Sequence, residues 1–406
     1  MKVEFTNLND ETKSLIDAAL KIIDIFHQHG YEAYIVGGAV RNILLKKNIN
    51  DIDITTNCLP ETILTLFKRT IPVGLEHGTV VVLWEDYPFE VTTFRIDGEY
   101  TDHRRPEQVH FVTDLKSDLE RRDFTINALA LSESYHVIDY FDGKNDLINK
   151  KIRAVGDAKH RFKEDALRML RALRFQSVLN FDIETSTLQA IHSLSSTIAF
   201  VSIERIVVEL RKLLLGQGVK NALNIFYQGM HQHVPFFRFI QDRKSKYMIQ
   251  TPIDLNMYIA YIIFNEMPYQ DLYKNVSDLK LSNQDKKNIK SCVEIFNYMN
   301  CNTLSLKSFV YRYDVALILN VIHWIKAEGL MFDGLLESEQ IIKTSRSLPI
   351  QSREEIVING HDLMYHLNRK AGPWLKEILN EIEIEIIEGR LSNQRESILE
   401  WANQYV

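Results

Sequence analysis

The feature that most constrains this chain is YIVGGAVRNILLKKNINDIDITT, Tyr34 to Thr56. An apolar strand runs into Gly37-Gly38 and a helix carrying Arg41 follows, so amides at the turn and at the helix amino end are placed to hold a phosphate. Thirteen residues after Gly38, Asp51 and Asp53 alternate with Ile52 and Ile54. In a strand this sets both carboxylates on one face and both isoleucines on the other. Two neighbouring carboxylates repel, and each raises the other's pKa unless a cation lies between them. A divalent ion shared with a substrate phosphate is the economical resolution. A solvated strand edge is the competing explanation for the two aspartates taken alone, and the preceding glycine turn argues against it. Glu90, in PFEVTTFR, alternates with Val91 in the same way. If that strand pairs beside Asp51–Thr55, Glu90 completes a three-carboxylate cluster.

Around this segment the chain divides in two. Short β-rich runs lie at Ala33–Val36, Asp51–Thr55, Thr79–Trp84, Phe89–Phe94 and His136–Asp139, with a helical stretch at Glu61–Arg69. They predict an α/β domain with a mixed sheet of about five strands. Beyond Lys150 helical periodicity takes over, in Ala158–Ser177, Ser202–Leu215, Val219–Tyr227 and Pro373–Ile387. In the last of these Leu375, Ile378, Leu379, Ile382 and Ile386 recur on one face. The fold class expected is therefore α+β, an amino-terminal mixed sheet domain followed by an all-helical remainder. With 406 residues, 45% apolar and 25% charged, disorder, collagen and a coiled-coil rod are excluded, and more than one core is expected. The longest apolar run, Met257–Phe264, is about half of a bilayer-spanning helix, and the amino terminus has no basic-then-apolar leader. The expectation is a soluble, cytoplasmic protein with no membrane partner. Cys58, Cys292 and Cys301 have no ligand-spaced companions, which points to reduced, buried thiols.

A net charge of −6 argues against a general basic coat for nucleic acid, so the distribution of charge matters more than its sum. Lys144 to Arg174 holds ten Lys/Arg against four Asp/Glu, whereas Met331 to Val406 holds eight against thirteen. Any polyanion contact should concentrate in the middle of the chain. Within Arg161–Phe175, Phe162, Ala166, Met169, Leu170 and Leu173 form an apolar stripe, with Asp165 and Arg168 three apart on one exposed flank. Alone, that pair reads as a surface ion pair worth a few tenths of a kcal/mol. Four arginines, 161, 168, 171 and 174, on a helix following the sheet domain favour a ligand-facing role. His361-Asp362 lacks the partners of a metal site and reads as a surface or packing pair.

The order of GG at Gly37–Gly38, DID at Asp51–Asp53, RRDFTINALAL from Arg121, FDGKNDLINKKIR from Phe141, RFKEDALRMLRALRF from Arg161 and ERIVVELRKLL from Glu204 resembles the polymerase-β nucleotidyltransferase superfamily. Within it, the motifs resemble the class II tRNA nucleotidyltransferases, the CCA-adding enzymes, and their bacterial poly(A) polymerase relatives. The likeness is detailed over about residues 20–220. NGHDL and AGPWLKEIL resemble the tail of the Gram-positive members.

The resemblance implies a head (1–150, catalytic), a neck (151–218, base recognition), a body (219–303) and a tail (304–406, tRNA binding). It implies Asp51 and Asp53 as ligands of a two-metal Mg²⁺ site, with Glu90 as a third catalytic carboxylate. Gly38, Arg41 and Arg122 match nucleotide contacts, Asp123 a residue near the ribose, and Asp165 with Arg168 a base-reading pair, with Arg171 and Arg174 further along the helix. Glu204 and Arg205 match supports of that helix. Asn42 stands where the family usually has aspartate and stays outside the expected site. The implied activity is addition of CMP, CMP and AMP from CTP and ATP to the 3′ end of tRNA, with release of pyrophosphate and with the elbow gripped by the helical region. The alternatives are a poly(A) polymerase, which an acidic carboxy-terminal region disfavours, and an enzyme adding only A. A non-catalytic RNA-binding module would have no use for the three carboxylates. The mixed-charge segment Arg95–Glu107 resembles the family's mobile loop, which disfavours CC-only addition. As to assembly, a homodimer is a candidate.

Overall fold

The computed structural model describes residues 8–98, 109–240, 244–266, 276–301 and 304–405. Two compact units divide the chain, residues 1–252 and 253–406. The division falls inside the segment 219–303 expected as one body.

In the first unit, helix α1 (Asp10–Gln28) starts where the Asn9 side chain accepts from the Thr12 amide, and it buries Leu15, Ile16, Ala19, Ile22, Ile23 and Phe26 along one face. The strands that follow are β1 (Ala33–Val36), β2 (Asp53–Thr56), β3 (Thr70–Gly74), β4 (Thr79–Trp84), β5 (Tyr87–Thr93), β6 (Arg95–Asp97), β7 (Val109–Phe111), β8 (Leu129–Leu131) and β9 (Val137–Asp139). Seven of them form one sheet in the order β3-β4-β5-β2-β1-β8-β9. β6 pairs with β7 as a separate ribbon.

The sheet thus has seven strands, where about five were expected. The two missed strands, β3 and β8, have readable causes. β3 is TIPVG, and its proline and glycine look like breakers, but it lies at the sheet edge, where a proline costs no ladder bond. β8 is the three-residue run Leu-Ala-Leu, fully buried, which has no strand signature of its own and becomes one through β1 and β9 on its two sides. Val36, Phe94, Leu115, Leu119, Ala128 and Ala130 pack into a core cluster.

Short helices are inserted at α2 (Gly38–Leu44), α3 (Pro60–Leu66), α4 (Leu115–Glu120) and α5 (Gly143–Ile148). The remainder of this unit is helical apart from a two-residue parallel pairing of Lys151–Ile152 with Asp182–Ile183. Its helices include α6 (Ala158–Glu164), α7 (Leu167–Leu179), α8 (Thr185–Leu194), α9 (Ile203–Leu214) and α10 (Val219–Tyr227). The single helix expected over Ala158–Ser177 is broken at Asp165, whose backbone is extended (φ −140°, ψ 105°) and whose Oδ1 accepts from the Leu167 amide at 3.0 Å. An aspartate whose carboxylate takes the amide two residues on offers the backbone an alternative to continuing the helix, which is why the break falls there.

Among the described residues, the regular elements of the second unit are all helical. Helix Pro373–Glu388 buries Ile378, Ile382 and Ile386, with Leu375 and Leu379 packed against that core, as the periodicity predicts. Asp362 serves helix Gly360–His366 as half of a capping box with Asn359, and Arg395 pairs with it at 2.7 Å. This accounts for the His361-Asp362 pair without a metal. Cys58 and Cys292 are buried, but Cys301 is exposed, contrary to expectation. It sits at the last position of helix Asn283–Cys301, where the apolar periodicity has ended. Among the described residues, no helix is long and apolar enough to cross a membrane.

Candidate active site

Strand pairing builds one side of the site. β2 runs parallel to β5 with Asp53 opposite Glu90, and antiparallel to β1 with Asp53 opposite Val36. Alternation along β2 buries Ile54 (1% exposed) while Asp53 is exposed on the other face. The condition set on Glu90, that its strand lie beside that of Asp53, is met. Asp51 precedes the strand and is exposed. Among the described residues, no three His, Cys, Asp or Glu side chains are gathered as a metal-binding group, so the three carboxylates stand as neighbours and not as a closed ligand cluster. Crowding by surrounding chain pushes the Asp53 carboxyl up to about 6, with Arg122 opposing and Glu90 and Asp51 adding to the rise. Surplus negative charge on an all-oxygen donor set fits a hard divalent cation.

The turn between β1 and α2 must be glycine at its first position. Gly37 has φ +70°, and a Cβ there would lie 3.0 Å from Arg122 Nη1 and 3.8 Å from Asp53 Oδ2. This close approach lets the turn, a cleft arginine and Asp53 share one corner.

A cleft of about 510 Å³ opens beside these residues, lined by Gly38, Arg41, Asp51, Asp53, Arg122, Asp123, Asp165, Arg168, Arg171 and Arg174, together with Arg121, Asn127, Phe175 and Arg205 among others. Of the residues expected at the site, Glu90 is outside this lining, and so is Arg161, which pairs with Glu164 at 3.1 Å. Seven arginines face four aspartates there, so the cleft is electropositive overall, as an anionic ligand requires.

Most of these arginines are tied to acids. Arg121 and Arg122 share buried Asp118, at 2.8 and 3.4 Å. Arg171 Nη2 lies 2.6 Å from Asp123 Oδ2, and Arg174 Nε lies 2.9 Å from Glu209. Burial alone would raise Asp123, but Arg171 and the Asn127 amide outweigh it and hold it at about 2. Asp165 and Arg168 do not pair with each other. Asp165 Oδ2 accepts from Arg205 Nη2 at 2.7 Å, while Arg168, 8% exposed, donates to Glu164, to the Arg161 carbonyl and, at 2.9 Å, to the Arg121 carbonyl. The exposed i,i+3 flank is thus corrected: the helix break turns Asp165 away from Arg168, and both are anchored elsewhere. Arg41 differs again. It donates to the Asn127 Oδ1 at 2.6 Å and twice to Asn42 Oδ1, at 3.1 and 3.0 Å, all neutral acceptors.

Reading the sequence missed Asn127, Asp118, Glu209 and Phe175. Glu209 had a signal: it is an acid on the apolar face of α9, 5% exposed alongside Ile206, Leu210 and Leu213, and buried acids need partners. Asp118 had none, because α4 is too short to show a periodicity. The segment 99–107 of the expected mobile loop lies outside the described residues.

Comparison with known proteins agrees with this geometry. The Poly A polymerase head domain family matches residues 33–153, a polymerase A RNA- and SrmB-binding family matches 180–236, and tRNA nucleotidyltransferase domain 2 matches 256–402. The CCA-adding enzyme of Staphylococcus haemolyticus is 42% identical over 403 residues, covering 97% of this chain and 98% of the relative. That of Staphylococcus aureus (strain Mu3 / ATCC 700698) is 43% identical over 404 residues, covering 97% and 99%. The crystal structure of the Bacillus stearothermophilus CCA-adding enzyme in complex with CTP superposes with a TM-score of 0.85 at 33% identity, over 96% of this chain and 97% of that one. With strand-borne carboxylates facing an arginine-lined cleft and likeness of this extent along nearly the whole length, the chain belongs to the family of CCA-adding enzymes, which are nucleotidyltransferases.

Proposed function

We propose that this protein completes tRNA 3′ ends by adding C, C and A from CTP and ATP without a nucleic-acid template. The observation that carries the reading is the pairing of Asp53 with Glu90 on neighbouring interior strands of the sheet, with Asp53 lining the arginine cleft. In each step the primer 3′-oxygen attacks the α-phosphorus, the bond to the β-phosphate oxygen breaks, and pyrophosphate leaves. Asp51 and Asp53 would hold Mg²⁺, which when bound lowers the pKa of the attacking hydroxyl and offsets charge on the leaving phosphates. Glu90, opposite Asp53, is the nearest further carboxylate to share the cation or take up the proton. Arg41, with the α2 amino end at Gly38, faces the triphosphate. Arg122 Nε and Arg205 Nη1 are buried and have no hydrogen-bond partner; such donors suit an anionic or base-edge ligand.

Base choice rests on Asp165 and Arg168. Arg168 spends three of its N–H groups on protein partners, leaving two of the five a guanidinium carries. Cytosine and adenine both present an amino donor beside a ring-nitrogen acceptor, so a carboxylate and a guanidinium suit both, whereas uracil and guanine present the reverse. Residues 1–150 would act as the catalytic head, 151–218 as the base-reading neck, 219–303 as body and 304–406 as the tail that grips tRNA by shape and phosphate contacts. The reaction would take place in the cytoplasm.

The deciding experiment offers tRNA transcripts lacking CCA, CA or only A, each with single nucleoside triphosphates. Ordered addition that stops after A is expected. Repeated A addition would indicate poly(A) synthesis, and addition only to the transcript ending in CC would indicate an A-adding enzyme.

A further inference from the structure

Among the described residues, Phe175 is the one aromatic residue in the lining of a cleft dominated by arginines and aspartates. It lies on α7, is 6% exposed, and its ring carries three guanidiniums: Arg174 at 4.1 Å from the centroid, Arg41 at 5.1 Å and Arg171 at 5.6 Å. All three are within cation–π range. Phe124, fully buried and adjacent in sequence to Asp123, meets the ring edge-on at 5.7 Å and 83°, which fixes the plane on which the cations rest.

Bringing three like charges to one ring costs repulsion, and the structure relieves it unevenly. Arg171 and Arg174 have Asp123 and Glu209 beside them. Arg41, arriving from α2, has two asparagine oxygens and the ring. Burial, followed by the charge of Arg174, lowers its pKa to about 10, which still leaves it protonated at neutral pH. A carboxylate in this place would cancel the charge. An aromatic face attracts the guanidinium through its quadrupole and leaves the cation to bind an anion.

We infer that Phe175 is a positioning residue, a shared aromatic platform that holds Arg41, from the glycine-turn side, together with Arg171 and Arg174 as one triphosphate-binding cluster. The inference rests on the proposed use of nucleoside triphosphates, but it concerns how the phosphate end is held and leaves base choice untouched.

The test compares the full-length wild type with Phe175→Leu, which keeps an apolar side chain but loses the ring, and with Phe175→Tyr, which restores it. For Phe175→Leu, KM for both CTP and ATP and the Kd of inorganic tripolyphosphate should rise together by about tenfold, with kcat within about threefold and the CTP-to-UTP preference unchanged. Phe175→Tyr should recover most of the loss. Because Phe175→Leu could fold poorly, the second arm replaces Phe175 with ring-fluorinated phenylalanines of nearly the same shape, and tripolyphosphate Kd should climb stepwise as fluorines drain the ring face. A Kd that stays within about twofold in Phe175→Leu, or that ignores fluorination, overturns the proposal. The tripolyphosphate arm needs no tRNA, so a wild type that binds tripolyphosphate yet adds nothing to tRNA would overturn the activity reading and leave the platform standing.

Discussion

The two sides of the site, the carboxylates of β2 and β5 and the arginine face of α7, balance their charges differently. On the strand side, Asp53, Glu90 and Asp51 are neighbours with Arg122 opposing them, and Asp53 is pushed up to about 6 by crowding and its acidic neighbours. On the helix side, Arg168, Arg171 and Arg174 each lie against an acid, Glu164, Asp123 and Glu209, with Glu164 shared with Arg161 and Glu209 shared between Arg171 and Arg174. The first side keeps an imbalance for a cation to resolve. The second resolves its charges internally and offers a ligand only the N–H groups left over. On the proposed reading, metal binding would need little more than correct strand register, while base selection would depend on a network that must first be assembled.

The hardest blow to this contrast is Asp53→Ala. Nucleotide incorporation should fall by at least about a thousandfold while the Kd for tRNA stays within about threefold, because on the proposed reading the carboxylates serve chemistry and not grip. Turnover within about tenfold of the parent would show that this charge imbalance is incidental.

Arg168→Ile probes the other side. Losing one base contact should reduce the preference for CTP over UTP by about 5- to 150-fold, the equivalent of about 1–3 kcal/mol. The structure adds a second effect: the melting temperature should drop by several degrees, since Glu164 and the Arg121 carbonyl lose their buried partner. An unchanged preference would place base reading elsewhere.

Asp123→Asn sharpens the internal balance through pH. The folded-state pKa of Asp123 is depressed to about 2 from an ordinary 3.8. Its ionised form therefore contributes stability above about pH 4, roughly 2 kcal/mol, and that contribution is lost as pH falls towards 2. Urea midpoints taken from pH 7 to pH 3 should show the gap between wild type and variant narrowing below about pH 4. A constant gap would mean that Asp123 acts by packing and not by charge.

The smallest effect is expected from Arg205→Ala, which frees Asp165 Oδ2 while leaving Arg168 in place. CTP-to-UTP preference should fall by up to about tenfold with little change in melting temperature. A loss as large as that of Arg168→Ile would make Arg205 a direct base contact.

Much of the candidate site was legible because it is local. Alternation in DIDIT puts Asp53 opposite in direction to Ile54 whatever the rest of the chain does, and the α7 stripe of Met169, Leu170 and Leu173 is buried as its spacing requires. The glycine pair, the run of arginines and the apolar face of Pro373–Glu388 are equally matters of covalent period. Tertiary structure decided what period cannot carry. β8 is a strand because β1 and β9 flank it, and β3 tolerates its proline because it is an edge. The helix breaks at Asp165, whose carboxylate accepts from the Leu167 amide and meets Arg205 forty residues on. Arg171 meets Asp123 from 48 positions away, and Arg41 meets Asn127 from 86. Sequence spacing determines the direction a side chain leaves its own backbone, whereas the partner that satisfies a buried charge is selected only once distant elements pack and exclude water.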